Sequence, residues 1–194
     1  MTRLTEADVT ALTRDLEAFE ARLMEATGLD LRTLALRSTI EEDRCVQLRG
    51  SRIAAVPMSS GEGVIPGFTE CVVAILQHLG CEAWVTAQPD VRGMQAAVAA
   101  GAEIIFLADD QRFIALNLTK ASSVDDDPAT ADGYATALRA AAGDLEGRGV
   151  LVLGLGPVGR AAARRLTALG ASVFVSEPDE ERVSAAREVG IEFE

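Results

Sequence analysis

The stretch Val150–Arg160, VLVLGLGPVGR, constrains the fold of this chain more than any other. Four apolar residues, Val150–Leu153, run directly into Gly154-Leu155-Gly156-Pro157-Val158-Gly159. A short continuous apolar run suits a parallel strand that is covered on both faces. Next, RAAARRLTALG places Ala161, Ala162, Leu166 and Leu169 at helical spacing, with basic residues on the other side and Gly170 positioned to end the helix. ASVFVSEPD then reads as a second strand. Strand, glycine turn, helix, strand is the frame of a dinucleotide-binding unit. In that frame Gly154 permits the tight turn, Gly156 lets the main chain approach a pyrophosphate, and Gly159 lets the helix pack close to the strand. The helix N-terminus offers N–H groups and partial positive charge to the phosphates. Gly154, Gly156, Pro157, Val158 and Gly159 are therefore candidate cofactor-binding residues. Glu177, at the end of the second strand, is placed to bind the adenosine ribose hydroxyls. A carboxylate there repels a 2′-phosphate, which favours NAD over NADP. The competing reading is a Rossmann-like unit whose glycines serve packing alone.

The chain has 194 residues, 48% of them hydrophobic, enough for a core in one or two domains. Its net charge of −12 argues against nucleic acid or an anionic membrane as partner, since both require basic patches. No apolar run approaches the ~18–20 residues that span a bilayer. MTRLTEADVT lacks the apolar segment of a signal peptide, so a cytoplasmic location is expected. Cys45, Cys71 and Cys81 are widely spaced and form no CxxC pair, so no metal site is expected. Cys71 and Cys81 read as packing residues. The single histidine, His78, lies beside the apolar helix face Phe68, Cys71, Val72, Ile75 and Leu79 and also reads as structural. Acid–base work then falls to a carboxylate, a lysine or the substrate's own amine.

Leu4–Gly28 opens with a capping box, Thr5 and Asp8, and carries Val9, Leu12, Leu16, Phe19, Leu23 and Met24 at helical spacing. One amphipathic helix is predicted. Its apolar face can pack on the next domain, on a second subunit in a homodimer, or over a site as a lid. A short helix is predicted over Asp30–Arg37, and Ile40–Ser51 reads as a connection. From Arg52 onward strands alternate with helices. RIAAVPM, EAWVTA, EIIFLAD and RFIALNL read as strands; IPGFTECVVAILQHLG, VRGMQAAVAAG and DPATADGYATALRAAAGDL read as helices. Such alternation implies a parallel sheet with helices on both faces. The expected fold is α/β: an N-terminal helix plus two Rossmann-like units with parallel sheets. Residues 1–145 are assigned to the helix and a substrate-binding domain, and residues 146–194 to the NAD-binding unit. The second unit is expected to be incomplete. It holds strand, helix, strand, a helix over Asp179–Val189, and GIEFE as a candidate third strand, against about six strands in a full doubly wound sheet.

Ligands of open α/β sheets bind at the carboxyl ends of strands. Three predicted loops of the first unit meet that condition. PMSSGEGVIPGF, Pro57–Phe68, offers the Ser59 and Ser60 hydroxyls and Glu62, or is an ordinary strand–helix turn. In TAQPDVRG, Asp90 reads as the N-cap of the next helix. In LADDQRF, one of Asp109 and Asp110 can hold a substrate ammonium while the other caps a turn, or both form a plain acidic turn. Asp125-Asp126-Asp127 reads as a solvated loop and helix start.

TGLD (Thr27–Asp30), VPMSSGEGVIPGF (Val56–Phe68), QPDVRG (Gln88–Gly93), GAEIIFLADDQRF (Gly101–Phe113) and VLVLGLGPVG (Val150–Gly159) occur in this order. Together they resemble the PylD family of pyrrolysine biosynthesis proteins, over nearly the whole chain from Leu4 onward. The resemblance implies an NAD-dependent enzyme acting on a small molecule, an isopeptide of lysine and 3-methyl-D-ornithine. Its terminal amine is oxidised, ammonia is released, and ring closure with loss of water gives pyrrolysine. The resemblance further implies that Ser60 and Asp109 contact the substrate as catalytic residues and that Leu4 shields the site. It assigns Gly154, Gly156, Gly159 and Glu177 to the dinucleotide and places the remainder of the NAD-binding domain beyond Glu194. Hydride acceptance belongs to the cofactor, and the protein supplies positioning and electrostatics. An amine must be neutral to lose hydride. Burial lowers an ammonium pKa and a nearby carboxylate raises it, so Asp109 is expected to orient the substrate rather than create the neutral amine. Two further readings stay open: another NAD-dependent amino-acid or imine dehydrogenase, and a non-catalytic NAD-binding interaction module.

Overall fold

A computed structural model of the chain describes residues 6–38, 49–61 and 65–188. In chain order the elements are α1 (Glu6–Arg14), α2 (Leu16–Thr27), α3 (Leu31–Arg37), β1 (Arg52–Val56), α4 (Phe68–His78), β2 (Glu82–Val85), α5 (Asp90–Ala99) and β3 (Ile104–Ala108). There follow β4 (Phe113–Asn117), β5 (Ser122–Asp125), α6 (Asp126–Ala142), β6 (Gly149–Leu153), α7 (Pro157–Ala168), β7 (Ser172–Ser176) and α8 (Glu180–Glu188). They form two compact units, one within Met1–Glu20 and Arg44–Asp126, the other within Ala21–Asp43 and Asp127–Glu194.

The first unit is built on the sheet β2-β1-β3-β4-β5. β1 runs parallel to both neighbours, with Ala55 opposite Val85 on one side and Phe106 on the other. Its unbroken apolar run is explained by its place in the middle, with both faces covered. Ile53 and Ala55 pack with Val73 and Leu76 of α4, while Ala54 and Val56 pack with Ala97 of α5 and Ile105 of β3. Cys71 and Cys81 are buried, and Cys45 lies outside the described residues.

The parallel arrangement expected for the whole sheet holds only for β1, β2 and β3. β4 pairs antiparallel with β3, and β5 antiparallel with β4. The reason is connection length: only Asp109–Arg112 separates β3 from β4, whereas a parallel crossover needs about a dozen residues or more. β5 itself corrects the reading of Asp125 as loop. Ser122–Asp125 pairs with β4, and Asp125 accepts a hydrogen bond from Arg112 at 2.8 Å. A polar edge strand of sequence SSVD has no apolar alternation to announce it.

The single N-terminal helix is also corrected, to α1 and α2 with an interruption at Asp15. The Asp15 N–H still donates to the Ala11 carbonyl, and the Asp15 carbonyl still accepts from Phe19. α1 packs against α4. Val9 is buried and approaches Gly67 at the head of α4. His78 Nε2 lies 2.8 Å from Glu20 Oε2, which fits the structural reading of this histidine.

In the second unit β6 and β7 are parallel, with Val152 opposite Val175. Val152 and Val173 pack with Ala135 of α6, Ala163 and Leu166 of α7 and Ala186 of α8. α6 therefore shares a core with the glycine turn. Leu151, Leu153 and Phe174, which alternate with these buried residues, are exposed. GIEFE lies outside the described residues.

Ile105 has no exposure and stands where β3 meets the α5 face of the core. Ile105→Ala is expected to lower unfolding free energy by about 2–5 kcal/mol, read as a reduced urea midpoint with the denaturant slope unchanged.

Candidate functional site

The glycine turn has the form that the fingerprint requires. Gly154 sits at φ +90°, a left-handed conformation that a side chain strains to adopt. Its N–H donates to the Ser176 carbonyl at 2.8 Å, which ties the turn to the end of β7. Gly156 is the N-cap of α7, in extended conformation and without a side-chain cap, and Pro157 occupies the first turn. A Cβ at Gly154 or at Gly156 would project into open space, the space a pyrophosphate needs. A Cβ at Gly159 would instead collide with the Gly154 carbonyl oxygen. Gly154 thus serves conformation and Gly159 packing, while Gly156 leaves open space at the N-terminus of α7. The residues present fit a dinucleotide.

Glu177 stands where the fingerprint expects its acid and also does something the sequence reading lacked. Oε2 accepts from the Leu155 N–H at 2.7 Å, and Oε1 accepts from the Asp179 N–H at 3.0 Å. Its side chain is 4% exposed. The carboxylate braces the turn from within. These bonds, the Leu155 one first, hold its pKa below the ordinary carboxylate range, because they favour the charged form. Asp132 behaves oppositely: burial raises its pKa, and the Arg165 charge opposes that only in part.

In the first unit the loops after β1, β2 and β3 lie at one end of the sheet, as parallel pairing demands. Ser60 is exposed and stands between two neighbours that carboxylates reach. Ser59, before it, donates its N–H to Asp90 Oδ1 at 2.8 Å and its hydroxyl to Asp90 Oδ2 at 2.6 Å. Gly61, after it, is at φ +70° with the Asp110 side chain against its α-carbon, where a Cβ would stand. The N-cap reading of Asp90 is therefore corrected. Pro89 occupies the N-cap without a side-chain bond, and the Asp90 carboxylate turns back to the serine loop.

Asp109 Oδ1 accepts from the backbone N–H groups of Gln111 at 2.8 Å and Arg112 at 2.9 Å. Those bonds lower its pKa and shape the β3–β4 turn. Phe68 meets Phe113 edge to face with ring centroids 5.5 Å apart, and Phe106 meets Phe113 with tilted rings at 5.8 Å. Gly93 lets α5 approach closely: a Cβ there would press on Val56 and Thr86. Leu4 and Glu62 lie outside the described residues. Among the described residues, no cluster of three His, Cys, Asp or Glu is placed to hold a metal, and no helix is long and apolar enough to cross a membrane.

Residues 8–124 match the family described as pyrrolysine biosynthesis protein PylD, N-terminal domain, and residues 150–193 match the TrkA-N domain. The chain is 34% identical over 182 residues to a pyrrolysine synthase of Methanosarcina barkeri (strain Fusaro / DSM 804), covering 93% of this chain and 66% of that protein. It is 33% identical over 179 residues to a pyrrolysine synthase of Methanosarcina acetivorans, covering 92% and 67%. The chain spans about two thirds of the length of these curated relatives.

Two substitutions check the geometry of the turn. Gly159→Ala is expected to cost about 1–3 kcal/mol by overpacking, seen as a lower melting temperature. The Glu177 bonds stabilise the fold above the ordinary carboxylate range near pH 4 and are lost as pH falls through the lowered folded-state value. Glu177→Gln should therefore be less stable than wild type at pH 7, with the gap closing toward pH 3. Urea midpoints across that range read the difference, and a gap independent of pH would contradict the ionic brace.

Proposed function

We propose, from the premise that this chain belongs to the PylD family of pyrrolysine biosynthesis proteins, that it serves the NAD-dependent oxidation of a lysine–3-methyl-D-ornithine isopeptide at its terminal amine. Water then displaces ammonia from the resulting imine to leave an aldehyde, and ring closure of the aldehyde with the remaining amine, with loss of water, yields pyrrolysine. The observation that carries the reading is the glycine turn whose Gly159 abuts Gly154 and whose Leu155 N–H is held by Glu177. NAD binding is assigned to Gly154, Gly156, Pro157, Val158, Gly159 and Glu177. The dinucleotide, when bound, supplies the hydride acceptor. Substrate binding is assigned within residues 1–145 and dinucleotide binding within residues 146–194, with α6 packing on the latter through Ala135.

Ser60 and Asp109 are proposed to meet the substrate, and Leu4 to shield it. The two backbone bonds to Asp109 fall on Oδ1, so Oδ2 is the oxygen proposed to meet the substrate amine. The charge of Asp109 orients the ammonium and raises its pKa, so exclusion of water must supply the neutral amine that loses hydride. The matched TrkA-N segment supports nucleotide binding, and the named relatives support a biosynthetic enzyme with a small-molecule substrate.

The test is NADH absorbance after mixing the chain, NAD and the isopeptide. Wild type is expected to form NADH, with loss of roughly 100-fold in Ser60→Ala and Asp109→Asn, the scale of misplacing a substrate by about 1 Å. Asp109→Asn keeps an acceptor at Oδ1, so the β3–β4 turn survives and the loss reports on charge. NADH formation equal in all three proteins would refute the assigned site.

A further inference from the structure

We propose that Asp90 is the positioning residue of the serine loop: by clamping Ser59 to the head of α5, it fixes where the adjacent Ser60 hydroxyl stands. The inference rests on the assignment of Ser60 to the substrate, and it adds a residue that assignment does not contain. Its first support is the bonding. Both Asp90 oxygens are taken by Ser59, one by the N–H and one by the hydroxyl, and the Asp90 N–H donates to the Pro57 carbonyl at 2.9 Å. The first residue of α5 thus holds the β1–α4 loop at positions 57 and 59, just before Ser60.

The second support is backbone strain. Asp90 sits at φ +54°, one of two described non-glycine residues at positive φ. Asp tolerates the left-handed region better than most residues but still strains there. An ordinary helix start carries no such cost, and at a first helical turn an Asp could cap or face the helix dipole without it. Here Pro89 is the N-cap, and Asp90, in the first turn of α5, gives both carboxylate oxygens to Ser59. The strained conformation aims the carboxylate at Ser59 instead. On the other side of Ser60 the Asp110 side chain lies against Gly61. The Ser59 bonds also keep Asp90 ionised below the ordinary carboxylate range.

Three variants of the full chain test the clamp. Asp90→Gly removes the carboxylate and accepts the left-handed backbone without strain. Asp90→Asn keeps one acceptor. Ser59→Ala removes the hydroxyl bond alone. Amide order parameters of Ser59 and Ser60 and isopeptide affinity by calorimetry are read beside the melting temperature. In Asp90→Gly both order parameters are expected to fall from about 0.85 toward 0.6 or below. Affinity should drop about ten-fold or more, as for loss of a hydrogen bond to a charged group. The melting temperature should not fall in parallel. Asp90→Asn and Ser59→Ala should lie between. An Asp90→Gly protein whose Ser59 and Ser60 stay as rigid as in wild type overturns the clamp. So does one whose serine loop loosens while affinity for the isopeptide is unchanged. A wild type that binds no isopeptide counts against the proposed function, and the order parameters alone then decide for or against the clamp.

Discussion

Parallel pairing of β1 with both β2 and β3 decides where chemistry can occur in the first unit. Strands that run in one direction deliver the loops that follow them to one end of the sheet. β1 is covered on both faces, by α4 through Ile53 and Ala55 and by α5 through Ala54 and Val56, so that end is where main chain and polar side chains emerge together. Ser60 follows β1, Asp90 follows β2 and Asp109 follows β3. The antiparallel return of β4 leaves this arrangement intact, because its turn closes at the same end, with the Asp109 N–H bonded to the Arg112 carbonyl at 2.9 Å. The hairpin replaces a crossover and gives Asp109 two backbone donors that a longer loop would not have placed so closely.

The second unit applies the same geometry with fewer strands. Gly154 lies just past the end of β6, and Glu177 just past the end of β7. The Leu155 N–H joins them through the Glu177 carboxylate. Asp90, Asp109 and Glu177 share one physical device: a carboxylate accepts backbone N–H donation and shapes a loop, from Ser59 at Asp90, from the adjacent Gln111 and Arg112 at Asp109, and from Leu155 and Asp179 at Glu177. In each case the bonds favour the charged form and lower the pKa. Asp132 shows the contrast, since burial against α7 raises its pKa and the neighbouring guanidinium at 3.4 Å does not fully compensate.

What could be read from the sequence depended on whether the signal was local. The strand–glycine–helix–strand frame was legible because every element of it, from Val150 to Ser176, is set by neighbouring residues. β1 was legible because IAAV has no polar position to interrupt it. β5 was not, because an edge strand of serines takes its conformation from the β4 ladder rather than from its own propensity. The break at Asp15 was hidden by an apolar spacing that continues through it. The roles of Asp90 and Glu177 escaped for a different reason. Their partners, Ser59 and Leu155, are distant in sequence and meet them only when separate strand ends converge. A residue that can serve as an N-cap looks like one until the fold brings a better donor within reach.

The bonds that Asp109 already accepts bear on the electrostatics of the proposed reaction. A substrate amine must be held by a negative charge and yet give up its proton before hydride can leave. A carboxylate with no other partners would stabilise the ammonium strongly and oppose that loss. The Gln111 and Arg112 N–H groups already share the Asp109 charge and lower the proton affinity of its carboxylate. A carboxylate so occupied still has direction, because its first oxygen is committed to the hairpin backbone. It exerts a weaker pull on the proton of whatever amine meets its second oxygen. In the proposed reaction the remaining charge of Asp109 orients the amine and still favours its proton, so the neutral form that loses hydride is left for exclusion of water to supply.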